Sequence, residues 1–339
     1  MHIVITGGAG FVGARLARTL LARSQLALAG APAAAIRRIT LVDRAAPPAD
    51  LAADPRVAAV VGDLNDLLAS APGSVLPADT SLAFHLAAAV SGECEADFDL
   101  GMRSNFAATN ALLEACRRLG SRPTLVFSSS LAVFGDSPEQ PLPELITDQT
   151  LPTPQTSYGI QKFIAEQLVA DYARKGFIRG RSVRLMTVSV RPGRPNGAAS
   201  GFFSGMIREP LAGLRAACPV ADETPVAIAS PARTIEGLVR AAEASDAEWG
   251  PRTALNLPSL ATTVGEMAAA LERVAGPAAT ALLDRTPDPA IRRIVKSWPG
   301  HFETARADAL GLRRDASFEA VVRDYVRENP DEVKLPLQA

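Results

Sequence analysis

The chain has 339 residues, 47% hydrophobic and 21% charged, with a formal net charge of -1. That length suits one large or two modest domains with a sizeable core, and the near-neutral balance excludes the basic footprint of a nucleic-acid or membrane-surface binder. Three cysteines (Cys94, Cys116, Cys218) without a CxxC spacing read as reduced thiols of a cytoplasmic protein, and with the three histidines they form no metal-ligand pattern.

The opening run MHIVITGG passes from a short apolar stretch straight into glycines, so it is not read as a signal peptide, and no run has the length of a membrane helix. Strands are predicted at 2–6, 39–43, 57–61, 81–85, 124–128 and 183–190. Helices are predicted at 11–23, 64–70, 98–119 and 157–175. Strands apolar on both faces and separated by helices specify a parallel sheet covered on both sides. After Arg191 the stretch RPGRPNGAASG reads as a linker. Beyond it come a helix at 200–212, a strand at 226–229, a helix at 231–244, a strand at 254–257, and helices at 263–275, 288–297 and 316–327. The fold class is therefore α/β: a Rossmann doubly wound parallel sheet with a smaller, mostly helical C-terminal substrate domain. Residues 1–190 plus 226–262 form the nucleotide-binding domain in this reading, and 191–225 plus 263–330 the substrate domain.

The first strand leads directly into TGGAGFVG (6–13), which opens a helix. This is the context a dinucleotide fingerprint needs. Gly7 allows the tight turn, Gly10 lets the backbone approach a pyrophosphate, and Gly13 lets helix pack on strand. Phe11 and Val12 begin the helix that meets the pyrophosphate. The second strand ends in Asp43, placed to accept from ribose hydroxyls and to repel a 2′-phosphate, which favours NAD over NADP despite Arg44 beside it. Asp63 and Leu64 end the third strand near the adenine. His85 packs at the end of the fourth, followed by Leu86, Ala87 and Ala88 beside the pyrophosphate.

The fifth strand runs into SSSLAVFG (128–135), and ligands of open α/β sheets sit at carboxyl ends of strands. Ser130 is thereby placed near the nicotinamide. In TSYGIQK (156–162), Tyr158 and Lys162 lie four apart and share a helix face. A free phenol, with a pKa near ~10, is a poor base at neutral pH. A nearby ammonium favours the phenolate, so Lys162 is expected to tune Tyr158 and hold the nicotinamide ribose, while Ser130 orients the substrate oxygen.

Taken together, TGGAGFVG, Asp43, GD at 62–63, HLAA at 85–88, SSSLAVFG and YGIQK resemble an extended short-chain dehydrogenase/reductase, similar to the UDP-sugar epimerases and dehydratases. The resemblance implies a Ser130-Tyr158-Lys162 triad, NAD as cofactor, and an Asn105 that contacts the cofactor region. Longer stretches, among them VSGECEADFDLGMRSN (90–105) and RLMTVSVRPGRPNGAASGF (184–202), resemble a branch that dehydrogenates four-carbon sugar acids. Two departures separate the chain from the UDP-sugar enzymes. Leu131-Ala132 stands where dehydratases carry Asp-Glu, and RPGRPN replaces the aromatic-Asn-Pro pattern. A single carboxylate on the substrate is suited to Arg191, Arg194 or Arg233, among which the sequence does not choose. Ser91, Gly92 and Asn196 are further substrate candidates. A homodimer through helices 98–119 and 157–175 is expected from relatives. A nucleotide-sugar 4-epimerase and a non-catalytic NAD-sensing regulator are the alternatives.

Overall fold

The computed structural model describes residues 1–193 and 197–338. Its principal strands are β1 (His2–Thr6), β2 (Arg38–Asp43), β3 (Val57–Val61), β4 (Thr80–His85), β5 (Thr124–Ser130), β6 (Arg179–Leu185), β7 (Thr187–Val188), β8 (Pro225–Ala229), β9 (Leu255–Asn256) and β10 (Leu260–Thr263). Its principal helices are α1 (Phe11–Arg23), α2 (Leu64–Ser70), α3 (Ser91–Ala96), α4 (Ala108–Leu119), α5 (Ser157–Arg174), α6 (Gly201–Leu211), α7 (Pro231–Glu243), α8 (Val264–Ala275), α9 (Pro289–Lys296) and α10 (Phe318–Glu328).

Seven strands form one parallel sheet in the order β9-β6-β5-β4-β1-β2-β3. Alternate residues divide between its faces, as the strand period of two requires. Ile3, Ile5, Ile39, Leu41, Leu82 and Phe84 enter one core with α1 and α7, whereas Val4, Val42 and Ala83 enter another with α2, α4 and α5. The chain turns in opposite directions from β1 and from β4, so a crevice opens between their carboxyl ends. A third core, built on Phe203, Met206, Met267, Leu271 and Val322, gathers α6, α8 and α10.

Three elements differ from the sequence reading. The strand predicted at 183–190 begins at Arg179 and leaves the large sheet after Leu185; Thr187–Val188 then pairs with β8. The strand predicted at 226–229 forms but does not join the large sheet. It lies in a three-stranded sheet, β10-β8-β7, with Ala227 and Ala229 in the first core and Val226 and Ile228 in the third. It is thus a seam between two cores. The helix predicted at 98–119 is interrupted by a π-helical turn over Met102–Ala107 ahead of α4. Among the described residues, no helix is long and apolar enough to cross a membrane.

Candidate active site

Two adjoining hollows lie at the crevice: a cleft of about 480 Å³ and a smaller pocket of about 200 Å³. Val12, Leu86, Ala88 and Arg191 line both.

The cleft is shaped by close backbone approach. Gly7 has φ 73°, and its amide donates to the Val42 carbonyl at 2.8 Å. A Cβ on Gly7 would stand 2.8 Å from the Ala87 nitrogen, and one on Gly13 would stand 2.1 Å from the Gly7 oxygen. Gly10 differs: a Cβ there meets only the Gly7 oxygen, at 3.3 Å, and otherwise faces open space. Gly10 precedes α1 and gives it no side-chain cap, and Phe11 and Val12 of the first turn line the cleft. Asp43, at the end of β2, accepts from the amides of Ala9 (3.0 Å) and Ala45 (3.2 Å) and lines the cleft with Arg44. Asp63 caps α2 through the Asn65 amide at 3.0 Å and pairs with Arg103 at 3.1 Å. Leu64 and Ala87 complete the wall. A glycine cradle, an uncapped helix start and an acid at the end of β2 fit a dinucleotide.

In the pocket, Ser130 ends β5 and its Oγ accepts from the Ala132 amide at 3.1 Å. Tyr158 opens α5, whose first turn is capped by Thr156. Gly159 brings the two together, because a Cβ there would sit 2.1 Å from the Ala132 oxygen. Only a glycine lets the start of α5 press so closely on the chain beyond Ser130. Lys162 is buried, and its Nζ donates to the Ser128 carbonyl at 2.8 Å.

Burial pushes the Tyr158 phenol up to about 12, with Ser130 and the Arg191 charge pulling the other way. Burial pushes the Lys162 ammonium down to about 8. Lys162 Nζ sits 5.7 Å from the Tyr158 ring centroid while it donates to Ser128, and the Arg191 charge also favours the phenolate. Behind the pocket, Glu166 takes two hydrogen bonds from Arg184, at 2.9 and 2.7 Å, and one from the Ser129 hydroxyl at 2.5 Å, joining β5, α5 and β6.

Other candidates divide. Ser91 lines the pocket and accepts from the Ala199 amide at 3.1 Å. Gly92 lines neither hollow; it makes a backbone approach, its would-be Cβ 2.4 Å from the Gly197 oxygen. Asn105 lines neither hollow. It stands behind the wall, exchanging hydrogen bonds with the Ala89 backbone (2.8 and 3.2 Å) and donating to Gln161 at 2.8 Å. Arg191 lines both hollows, and burial lowers its pKa. Arg233 pairs with Glu236 outside both hollows. Arg194 and Asn196 lie outside the described residues. The sequence reading missed Arg208, which lines the cleft and donates to the Arg191 carbonyl at 2.7 Å, and Trp298, which lines the pocket. The available signal for Arg208 was a charge inside the apolar helix FFSGMIREPL.

The pattern described as the NAD dependent epimerase/dehydratase family matches residues 3–226. The chain belongs to that family. Its cofactor is accordingly NAD. A D-erythronate dehydrogenase of Cupriavidus necator is 48% identical over 97% of this chain and 98% of its own. Another, from Haemophilus influenzae, is 39% identical over 96% and 99%. Among solved structures, a nucleoside-diphosphate-sugar epimerase from Agrobacterium tumefaciens superposes with a TM-score of 0.86 and 41% identity, covering 98% of this chain and 95% of the other. The chain is an NAD-dependent dehydrogenase of this family.

Proposed function

We propose that the protein oxidises D-erythronate at C2 to 2-dehydro-D-erythronate through Ser130, Tyr158 and Lys162. One observation carries the reading: the pocket holding these three is small and is lined by a half-buried arginine, Arg191, for which the described residues supply no carboxylate partner. At about 200 Å³ it falls below the range of about 300–1,000 Å³ usual for drug-sized ligands. A small acid suits that space, and a planar guanidinium receives a carboxylate through two parallel hydrogen bonds. The dehydrogenase relatives at 48% and 39% identity support the substrate.

Bound NAD supplies the acceptor for the hydride that leaves C2. The remaining work falls to the protein. Tyr158 takes the proton of the C2 hydroxyl. The Ser130 oxygen accepts from Ala132, and its hydroxyl, beside the Tyr158 phenol, donates to the same substrate oxygen and orients it. Lys162 uses one N–H on Ser128 and keeps two for the nicotinamide ribose. Gly7, Gly10 and Gly13 would hold the pyrophosphate, and Asp43 the adenosine ribose. The protein is further proposed to be a homodimer through α4 and α5, where Ile160 and Ile164 lie exposed one turn apart; a monomer mass by light scattering at micromolar concentration overturns that.

The test is NADH formation, read at its absorbance band, from a panel of sugar acids. D-Erythronate should be oxidised by the wild type and not by Tyr158→Phe. Activity on a UDP-hexose with none on any four-carbon acid would falsify the reading. The similarity to the nucleoside-diphosphate-sugar epimerase of Agrobacterium tumefaciens motivates this second arm. An epimerase keeps its NAD and releases no NADH, so absorbance of the purified protein also separates the two.

A further inference from the structure

We infer that Trp298 is the wall that sets how long a substrate the pocket accepts. The inference rests on the sugar-acid reading above and adds a residue to it. Every other described residue lining the pocket lies between Val12 and Ser200; Trp298 arrives from the far end of the chain, just after α9, and is the largest side chain of the lining. Its backbone is pinned from two sides. The Asp136 amide donates to the Ser297 carbonyl at 2.8 Å, and beyond it Ile146 and residues 301–303 exchange backbone hydrogen bonds of 3.0 and 2.8 Å. Gly300 packs so tightly that a Cβ there would lie 2.6 Å from Pro225 Cβ. The segment therefore cannot retreat without breaking its hold on the excursion that follows Ser130.

The indole packs against both the sheet core and the C-terminal core, and among the described residues its N–H has no hydrogen-bond acceptor. The ring thus bounds the pocket with apolar surface held between the two cores. Polar recognition sits elsewhere in the pocket, on Ser91, Ser130, Tyr158 and Arg191. An acid anchored by its carboxylate and its reacting hydroxyl must fit its remaining carbons into the space the indole bounds. A close apolar wall of this kind discriminates one extra carbon by about 10–200-fold. Trp298 is a specificity residue on this argument and takes no part in the proton transfer.

The experiment compares Trp298→Ala and Trp298→Phe with the wild type on four-, five- and six-carbon aldonates with NAD, alongside NADH affinity. The ratio of kcat/KM for longer over four-carbon acids is expected to rise by about tenfold or more in Trp298→Ala, and to change little in Trp298→Phe. An unmoved ratio in a Trp298→Ala protein that binds NADH normally overturns the inference. If the alanine variant does not fold, Trp298→Leu replaces it under the same criterion. A second arm needs no turnover. In a Trp249→Phe background Trp298 is the sole tryptophan. Adding a four-carbon aldonate to the NADH complex is expected to shift its emission, and longer aldonates are expected not to. Equal responses across the series overturn the wall. Failure of the wild type to oxidise any sugar acid overturns the reaction reading instead and leaves this arm to judge Trp298.

Discussion

Arg191 and Tyr158 line the same pocket, and the Arg191 guanidinium is the charge that draws the Tyr158 phenol down from the high value burial imposes. The proposed base and the proposed carboxylate anchor are therefore coupled. If kcat/KM requires the phenolate, it rises with pH until that phenol is ionised. Arg191→Ala removes the cation, raises the phenol further and moves this limb to higher pH. The same change removes a charge-assisted interaction of about 1.5–3 kcal/mol, so KM should rise about 10–150-fold. Arg191→Lys separates the effects: the charge stays and the limb holds, while the lost bidentate geometry still raises KM. Arg233→Ala should change neither, given its pairing with Glu236 outside the pocket. pH profiles of kcat/KM for the three variants check all of this.

The glycines of the cradle should fail in different ways. Gly13→Ala drives a Cβ to 2.1 Å from the Gly7 oxygen, so it should unsettle the β1–α1 junction and lower Tm. Gly10→Ala meets the Gly7 oxygen only at 3.3 Å, a contact a small shift relieves. Its Tm should stay close to that of the wild type while NAD affinity falls at least tenfold, an effect of about 1.4 kcal/mol. Thermal melts paired with NAD titrations distinguish the two. Equal Tm losses in both variants would mean that Gly10 is there for packing.

Asp43 carries both a structural and a selective role. Its carboxylate ties Ala9 to Ala45, and it faces the cleft beside Arg44. Asp43→Asn keeps an oxygen that accepts from a backbone amide and removes the negative charge that repels a 2′-phosphate. The ratio of kcat/KM for NADP over NAD should rise about tenfold, which corresponds to the roughly 1–2 kcal/mol of a screened charge–charge contact. Steady-state rates with each cofactor measure it directly.

What could be read from the residues was what depends on neighbours in the chain. The glycine turn, α1 and the alternation of β1 are local patterns, and their bounds at 2–6 and 11–23 coincide with the structure. The start of β6 was hidden because Arg181 looks like a surface residue. It is buried because Asp246, far away in sequence, neutralises it at 2.5 Å. Asn105 illustrates the same limit: a polar residue in the right helix proves to brace the Ala89 loop rather than line the cleft. Arg208 and Trp298 reach the site only through tertiary packing, and no spacing in the sequence announces them.

His85 makes the fold sensitive to acid. Its Nε2 lies 2.9 Å from the Thr109 hydroxyl, which itself donates to the Asn105 carbonyl at 2.6 Å. Thr109 must therefore accept from Nε2–H, and Nδ1 accepts from the Thr6 hydroxyl at 2.7 Å. The ring is neutral and both nitrogens are engaged, so a second proton has no place. Burial, then the Lys162 charge, hold its pKa down at about 3 against an ordinary 6.5. With the folded value below the unfolded one, the unfolded chain binds more protons between pH 6.5 and 3. Stability is thus complete above the unfolded value and falls as pH drops through this window. The loss from this one residue should be about 2 kcal/mol between pH 7 and pH 5, and about 4 kcal/mol by pH 3. His85→Gln is expected to start less stable at pH 7, because it cannot reproduce both threonine contacts, yet to lose less on acidification. Urea midpoints for the two proteins at pH 7, 6 and 5 give the comparison, with His2 and His301 common to both. Parallel slopes would show that His85 is protonated in the native state and that the Thr6–His85–Thr109 chain has been assigned in the wrong tautomer.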